Sequence, residues 1–144
     1  MNYNTAFFGL FENVFKLLKS EYGESKALVL FSKLMELGLS KSYGNDFKKG
    51  DPYEFMRIVS ERDKLVGLHV EFPFISANQI IYQFHDDPFP NLKEVVNHVD
   101  LDKCYLNFKI NYILGDNWSY RTTKHLWNGD GYTEHEIYKI NPHL

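Results

Sequence analysis

The sequence predicts an α+β fold: N-terminal helices packed on an antiparallel sheet, with a C-terminal β-hairpin. Three observations carry this expectation. Apolar residues recur at helical spacing through the first part of the chain. The pattern then switches to strict alternation over residues 65–72. Within residues 118–140, two runs rich in aromatic and β-branched residues flank Asn128-Gly129-Asp130-Gly131, which is a hairpin signal.

Phe7, Phe8, Phe11, Val14, Phe15 and Leu18 predict an amphipathic helix over residues 5–22, with Lys16 and Lys19 in its last turns and Gly23 as its stop. Its aromatic stripe suits core packing first, with a ligand or a second subunit as the alternative. A second helix over residues 24–37 buries Ala27, Leu28, Phe31, Leu34 and Met35, with Gly38 as C-cap. Gly44, Asn45, Asp46 and Gly50 make residues 40–50 a loop. Asp51-Pro52-Tyr53-Glu54 starts a third helix: Asp51 caps, Pro52 takes the first helical position, and Glu54 reaches back to the cap. Phe55, Ile58 and Val59 form its apolar side, and it ends near Asp63.

Over residues 65–72, Val66, Leu68, Val70 and Phe72 point one way; Leu65, Gly67, His69 and Glu71 point the other. His69 and Glu71 therefore stand side by side. Pro73 cannot donate to a ladder and ends the strand. Residues 78–84 fit either a strand or a short helix, and Pro88-Phe89-Pro90 is a turn or an extended linker. Asn91 caps a short helix with Glu94 three residues on, presenting Val95, Val96 and Val99. Asp100 caps another, with Leu101, Cys104, Tyr105 and Phe108 on one face. Gly115-Asp116-Asn117 leads into the hairpin.

With Asn128 and Gly131 closing the turn and Gly129 at positive φ, Trp127 faces Tyr132, His125 faces Glu134, Thr123 faces Glu136, and Arg121 faces Tyr138. In the turn, the Asp130 side chain can bond nearby backbone N–H groups. The opposite face carries Tyr120, Thr122, Lys124, Leu126, Thr133, His135 and Ile137. The first face, with Arg121, Thr123, His125, Glu134 and Glu136, is unusually polar and the opposite one is mixed, so which one meets the core stays open, and a one-residue slip would re-pair the strands.

A chain of 144 residues suits one domain over residues 1–144, and 44% hydrophobic residues exclude a disordered chain. A net charge of −3 offers no electrostatic case for nucleic acid or an anionic membrane. No apolar run approaches the ~20 residues of a membrane span. One cysteine, Cys104, precludes an intrachain disulfide and fits a reducing compartment. The N-terminus lacks the basic region of a signal peptide, so the expectation is a cytoplasmic protein.

Cys104 is the one candidate thiol nucleophile. Its helical neighbours are apolar or aromatic, which by itself reads as an inert buried cysteine. His125 beside Glu134 and Glu136 can do acid–base work, or can be an exposed cross-strand cluster. His69 with Glu71, and His85 with Asp86 and Asp87, have ligand chemistry but not the spacing of a zinc motif. The expectation is no metal and no cofactor.

Five segments carry a family resemblance. Gly23-Glu24-Ser25-Lys26-Ala27, Phe72-Pro73-Phe74, Cys104-Tyr105-Leu106-Asn107, Arg121-Thr122-Thr123-Lys124-His125-Leu126 and Gly129-Asp130-Gly131-Tyr132-Thr133 stand in order. They resemble the Gly-x-x-x-Ala, Cys-Pro-Phe, Cys-x-x-Asp, Arg-Thr-Lys-x-Leu and Gly-Asp-x-x-Cys segments of the L-2-amino-thiazoline-4-carboxylic acid hydrolase family. More distantly, the chain resembles 4-vinyl reductase-type ligand-binding domains, which share an α+β fold with certain trafficking-complex subunits. Phe72 and Thr133 stand where that pattern has cysteines, and Asn107 where it has an acid.

The resemblance implies a hydrolase opening a C–N bond of a small heterocyclic or amide substrate. Cys104 would be the nucleophile or a pocket-lining thiol and His125 the acid–base group, oriented by Glu134. Arg121 or Lys124 would hold a substrate carboxylate, with His69, Glu71 and Asn107 as further substrate contacts. The departures make a non-catalytic small-molecule-binding or sensor domain the alternative, its pocket lying between helices and sheet and lined by Phe and Tyr. A pure assembly subunit is a third reading. The expected partner is a small-molecule ligand or substrate, without nucleic acid or membrane, and with a homodimer left open.

Overall fold

The computed structural model describes residues 5–140. The residues 1–4 read above for a targeting signal lie outside them. Helices α1 (Thr5–Tyr22), α2 (Glu24–Tyr43) and α3 (Pro52–Leu65) precede strands β1 (Val70–Ile75) and β2 (Gln79–Phe84). A 3₁₀ turn at Pro90–Leu92 leads to α4 (His98–Ile113), and β3 (Trp118–Lys124) and β4 (Thr133–Lys139) follow. The α+β class expected from the sequence is the one observed. The four strands form one antiparallel sheet in the order β1-β2-β4-β3.

The sheet is two-sided in chemistry. Its inner face carries Ile80, Tyr82 and Phe84 from β2 and Thr133, His135 and Ile137 from β4, all buried. Against it pack α3 and α4, while α2 bridges α4 and α1. The outer face is a polar ladder. Glu134 accepts from Gln83 Nε2 (2.8 Å) and Thr123 Oγ1 (2.7 Å), and Glu136 accepts from Gln79 Nε2 and from Arg121 Nη2 (both 2.8 Å). Alternation along each strand therefore decides what the mixed hairpin left open: Thr133, His135 and Ile137 face the core. Among the described residues no helix is long and apolar enough to cross a membrane.

Helix α1 has the expected bounds, with Phe8 and Phe15 buried, but Phe7 is 41% exposed. Glu12 is buried on the same helix because its carboxylate accepts both Asn91 N (2.7 Å) and Asn91 Nδ2 (3.0 Å). This bond also corrects the expected role of Asn91, which caps no helix.

Helix α2 runs six residues further than expected, from 37 to Tyr43. Gly38 is not its C-cap. Gly44 is, at φ 67, donating its N–H to Ser40 O. At α3, Asp51 Oδ1 accepts Tyr53 N (2.9 Å) as expected. Glu54 does not reach back to the cap, because it is held by Arg57 Nε (2.6 Å) and Lys48 N (3.3 Å).

Residues 65–69 are not strand; α3 continues through Leu65, and β1 starts at Val70. Pro73 does not end β1 but lies inside it. It is tolerated because β1 is an edge strand and the pairing with β2 is irregular between Glu71 and Phe74. Helix α4 starts two residues before Asp100, capped by Asn97 Oδ1 accepting Val99 N (2.8 Å). That start places His98 and Asp102 one turn apart on one face.

The hairpin register differs from the expected one. Arg121 pairs with Glu136, Thr122 with His135, and Lys124 with Glu134, with an irregularity between Thr122 and Lys124. A 3₁₀ turn over Leu126–Asn128 lengthens the connection, and Gly129 follows at φ 88. The positive φ expected of Gly129 is present, and Asp130 Oδ2 accepts His125 N (2.8 Å). The extra residue reverses the alternation beyond Thr123, so His125 turns inward and is buried.

Candidate functional site

Between α1, α2 and the ends of α3 and β2 lies a cleft of about 320 Å³. Leu34, Met35, Gly38, Leu39 and Ser42 line it from α2, at spacings that put them on one helical face. Phe7, Phe8 and Phe11 line it from α1, together with Phe89. Phe8 and Phe89 meet edge-on at 5.7 Å between ring centroids, which fixes that wall.

One end of this aromatic cleft is polar. Arg62 and Asp63 from α3, Lys109 from α4 and Tyr43 from α2 line it. Lys109 Nζ lies 3.6 Å from Asp63 Oδ1 and donates to Tyr82 Oη at 3.3 Å, and Tyr82 in turn donates to Asp63. The ammonium also sits 5.5 Å from the Tyr82 and Tyr105 ring centroids and 5.6 Å from that of Phe84. Tyr43 Oη and Arg62 Nε are buried without a hydrogen-bond partner among the described residues. Burial, and then the Asp63 charge, push the Tyr43 phenol well above its ordinary pKa, so it stays a donor.

A second polar cluster borders the Tyr105 wall. Asp102 accepts Tyr105 Oη–H at 2.9 Å, and His125 Nε2 lies 3.2 Å from Asp102 Oδ2. His98 stacks on His125 at 3.9 Å, with its Nδ1 4.0 Å from the same carboxylate oxygen. The ligand atoms of His98, Asp102 and His125 all lie within 4.8 Å of one another, so these three could hold a metal ion. As arranged, though, His125 Nδ1 accepts Trp127 N (3.0 Å). A neutral His125 therefore carries its proton on Nε2, facing Asp102, and Nε2 has no free lone pair for a metal. Deeper in the sheet, His135 is fully buried, its Nδ1 2.9 Å from Thr122 Oγ1. Burial lowers its pKa to about 4.

The residues expected to carry chemistry fall into separate settings. Cys104 is buried on α4, where Sγ donates to Leu28 O and Asp100 O (both 3.6 Å), and burial raises its pKa. His125 joins Asp102, not Glu134; Glu134 is on the outer face with Gln83 and Thr123. Arg121 pairs with Glu136, and Lys124 donates to Tyr132 Oη (2.9 Å). Asn107 is exposed on α4. His69 and Glu71 do stand together, at 3.4 Å, joined by His85 at 3.0 Å from Glu71. None of these residues lines the aromatic cleft.

Tyr43, Arg62, Asp63 and Lys109 were not among the expected site residues. One signal could have pointed to Lys109: it falls four residues after Tyr105 and seven after Asp102, at helical spacing on the buried side of α4.

No protein-family model matches the chain, and no curated protein matches it. Among solved structures, the phenol-responsive sensory domain of the transcription activator PoxR, solved with phenol, is similar at a TM-score of 0.61 and 12% identity. The match covers 96% of this chain and 76% of that one. The two share a fold.

Proposed function

We propose that this protein is a small-molecule-binding domain of the sensor type, and that the aromatic cleft takes the ligand. The observation that carries the proposal is the cleft itself: apolar walls converging on a few polar groups, at a volume of about 320 Å³ suited to a small ligand. The shared fold with a phenol-responsive sensory domain supports it. Binding is favoured over ring-opening hydrolysis, because Cys104, His125 and Glu134 occupy three different settings and none of them faces the cleft.

Gly38 supplies the test. It sits inside α2, where glycine costs ~1 kcal/mol relative to alanine, yet a Cβ there would meet nothing within 4 Å. The missing side chain keeps the cleft open. Gly38→Leu is expected to melt no lower than wild type while losing ligand. In a thermal-shift panel of small aromatic compounds, a ligand at a hundredfold excess over its Kd adds ~2.7 kcal/mol of stability to wild type. That shift should vanish in Gly38→Leu and persist in Cys104→Ala, with the compound recovered unchanged. Recovery of a ring-opened product, lost in Cys104→Ala, would restore the hydrolase reading.

A further inference from the structure

We infer that the ligand of the cleft is an apolar body ending in a carboxylate, with the carboxylate seated against Arg62 and Tyr43. The inference rests on the binding reading above and adds the chemistry of the ligand's head. Three charged side chains line the cleft, Arg62 and Lys109 against Asp63, so two cations face one anion. The anion is already engaged, because Asp63 receives the Tyr82 hydroxyl and pairs with Lys109. The donors are not: Tyr43 Oη and Arg62 Nε are both buried and have no acceptor among the described residues.

A buried donor without an acceptor costs the desolvation of that group, and a ligand acceptor recovers it. A hydroxyl oxygen satisfies one such donor; the two oxygens of a carboxylate satisfy both and gain charge-assisted bonds. An ammonium would meet two cations and a carboxylate already occupied. On the exposed side Arg62 Nη1 donates to Glu61 Oε1 at 3.3 Å, while Nε is buried. The apolar body can be sized as well. A cavity of about 150 Å³ accepts one benzene ring. At about 320 Å³ the cleft holds a ring with a short chain.

The test compares three compounds with one apolar body: 3-phenylpropionate, 3-phenylpropanol and 3-phenylpropylamine, titrated calorimetrically into the intact chain. The acid is expected to bind roughly tenfold or more tighter than the alcohol, as charge-assisted bonds imply, and the amine to bind weakest. Arg62→Met should remove the acid's advantage over the alcohol. Tyr43→Phe should weaken both acid and alcohol. If alcohol and acid bind alike, if the amine binds best, or if Arg62→Met keeps the acid's preference, the carboxylate inference fails and the binding reading stands. If none of the three binds, and no compound of the aromatic panel distinguishes wild type from Gly38→Leu, the binding reading fails and takes this inference with it.

Discussion

His135 has no exposed surface, and its folded pKa of about 4 lies below the ordinary 6.5 of a free histidine. Between those two values the unfolded chain binds a proton that the folded chain refuses, so stability rises with pH across that window. The contribution is fully present above pH 6.5 and is lost as pH falls toward 4. At 1.36 kcal/mol per pKa unit it is worth about 3 kcal/mol. Urea unfolding at a series of pH values should show this loss in wild type and a shallower one in His135→Leu. Parallel curves would show that His135 takes up no proton on unfolding. Gly129 is a second single-residue constraint. Its φ of 88 is strained for any side chain, although a Cβ would meet nothing within 4 Å. Gly129→Val is expected to cost ~1–3 kcal/mol by backbone strain alone, without altering the cleft.

At the scale of elements, both ends of α1 and the starts of α2 and α3 were legible, while the end of α2, the start of α4 and the hairpin register were not. The Asp51 cap is local chemistry, and the structure places its carboxylate on Tyr53 N as expected. Asp51→Ala should lower stability by ~1 kcal/mol in equilibrium unfolding. Gly38 misled because a glycine after an apolar run is the ordinary mark of a helix end; here it lies inside α2 on the face that lines the cleft, and Gly44 ends the helix. Pro73 misled because the rule against proline in a strand is suspended on an irregular edge, and edge position is a tertiary fact. The hairpin was evident but its register was not. One irregularity near Thr123 moved the pairing and carried His125 from the polar face to Asp102. The site was the least legible part. Tyr43, Asp63 and Lys109 come from three helices, so no single stretch of sequence brings them together.

Across the whole molecule, the polar end of the cleft is also where the layers join. Asp63 of α3, Lys109 of α4 and Tyr82 of β2 form one hydrogen-bonded and ionic group, with side-chain exposures of 6% for Lys109 and 8% for Asp63. Two charges so far from water are costly to hold, and their attraction largely offsets that cost only while both are present. Removing one partner strands the other. Lys109→Met is therefore expected to destabilise the fold by about 3–5 kcal/mol, the range for an uncompensated buried charge. Asp63→Asn should likewise leave the buried ammonium without a counter-charge, with only neutral oxygens and the surrounding ring faces about it. In the double variant no buried charge remains, so its loss should be smaller than the sum of the two single losses by at least ~1 kcal/mol. Urea unfolding of all four chains closes the cycle. If the losses add to within ~0.5 kcal/mol, the two groups do not interact, and the joining of α3 to α4 and β2 must come from apolar packing alone.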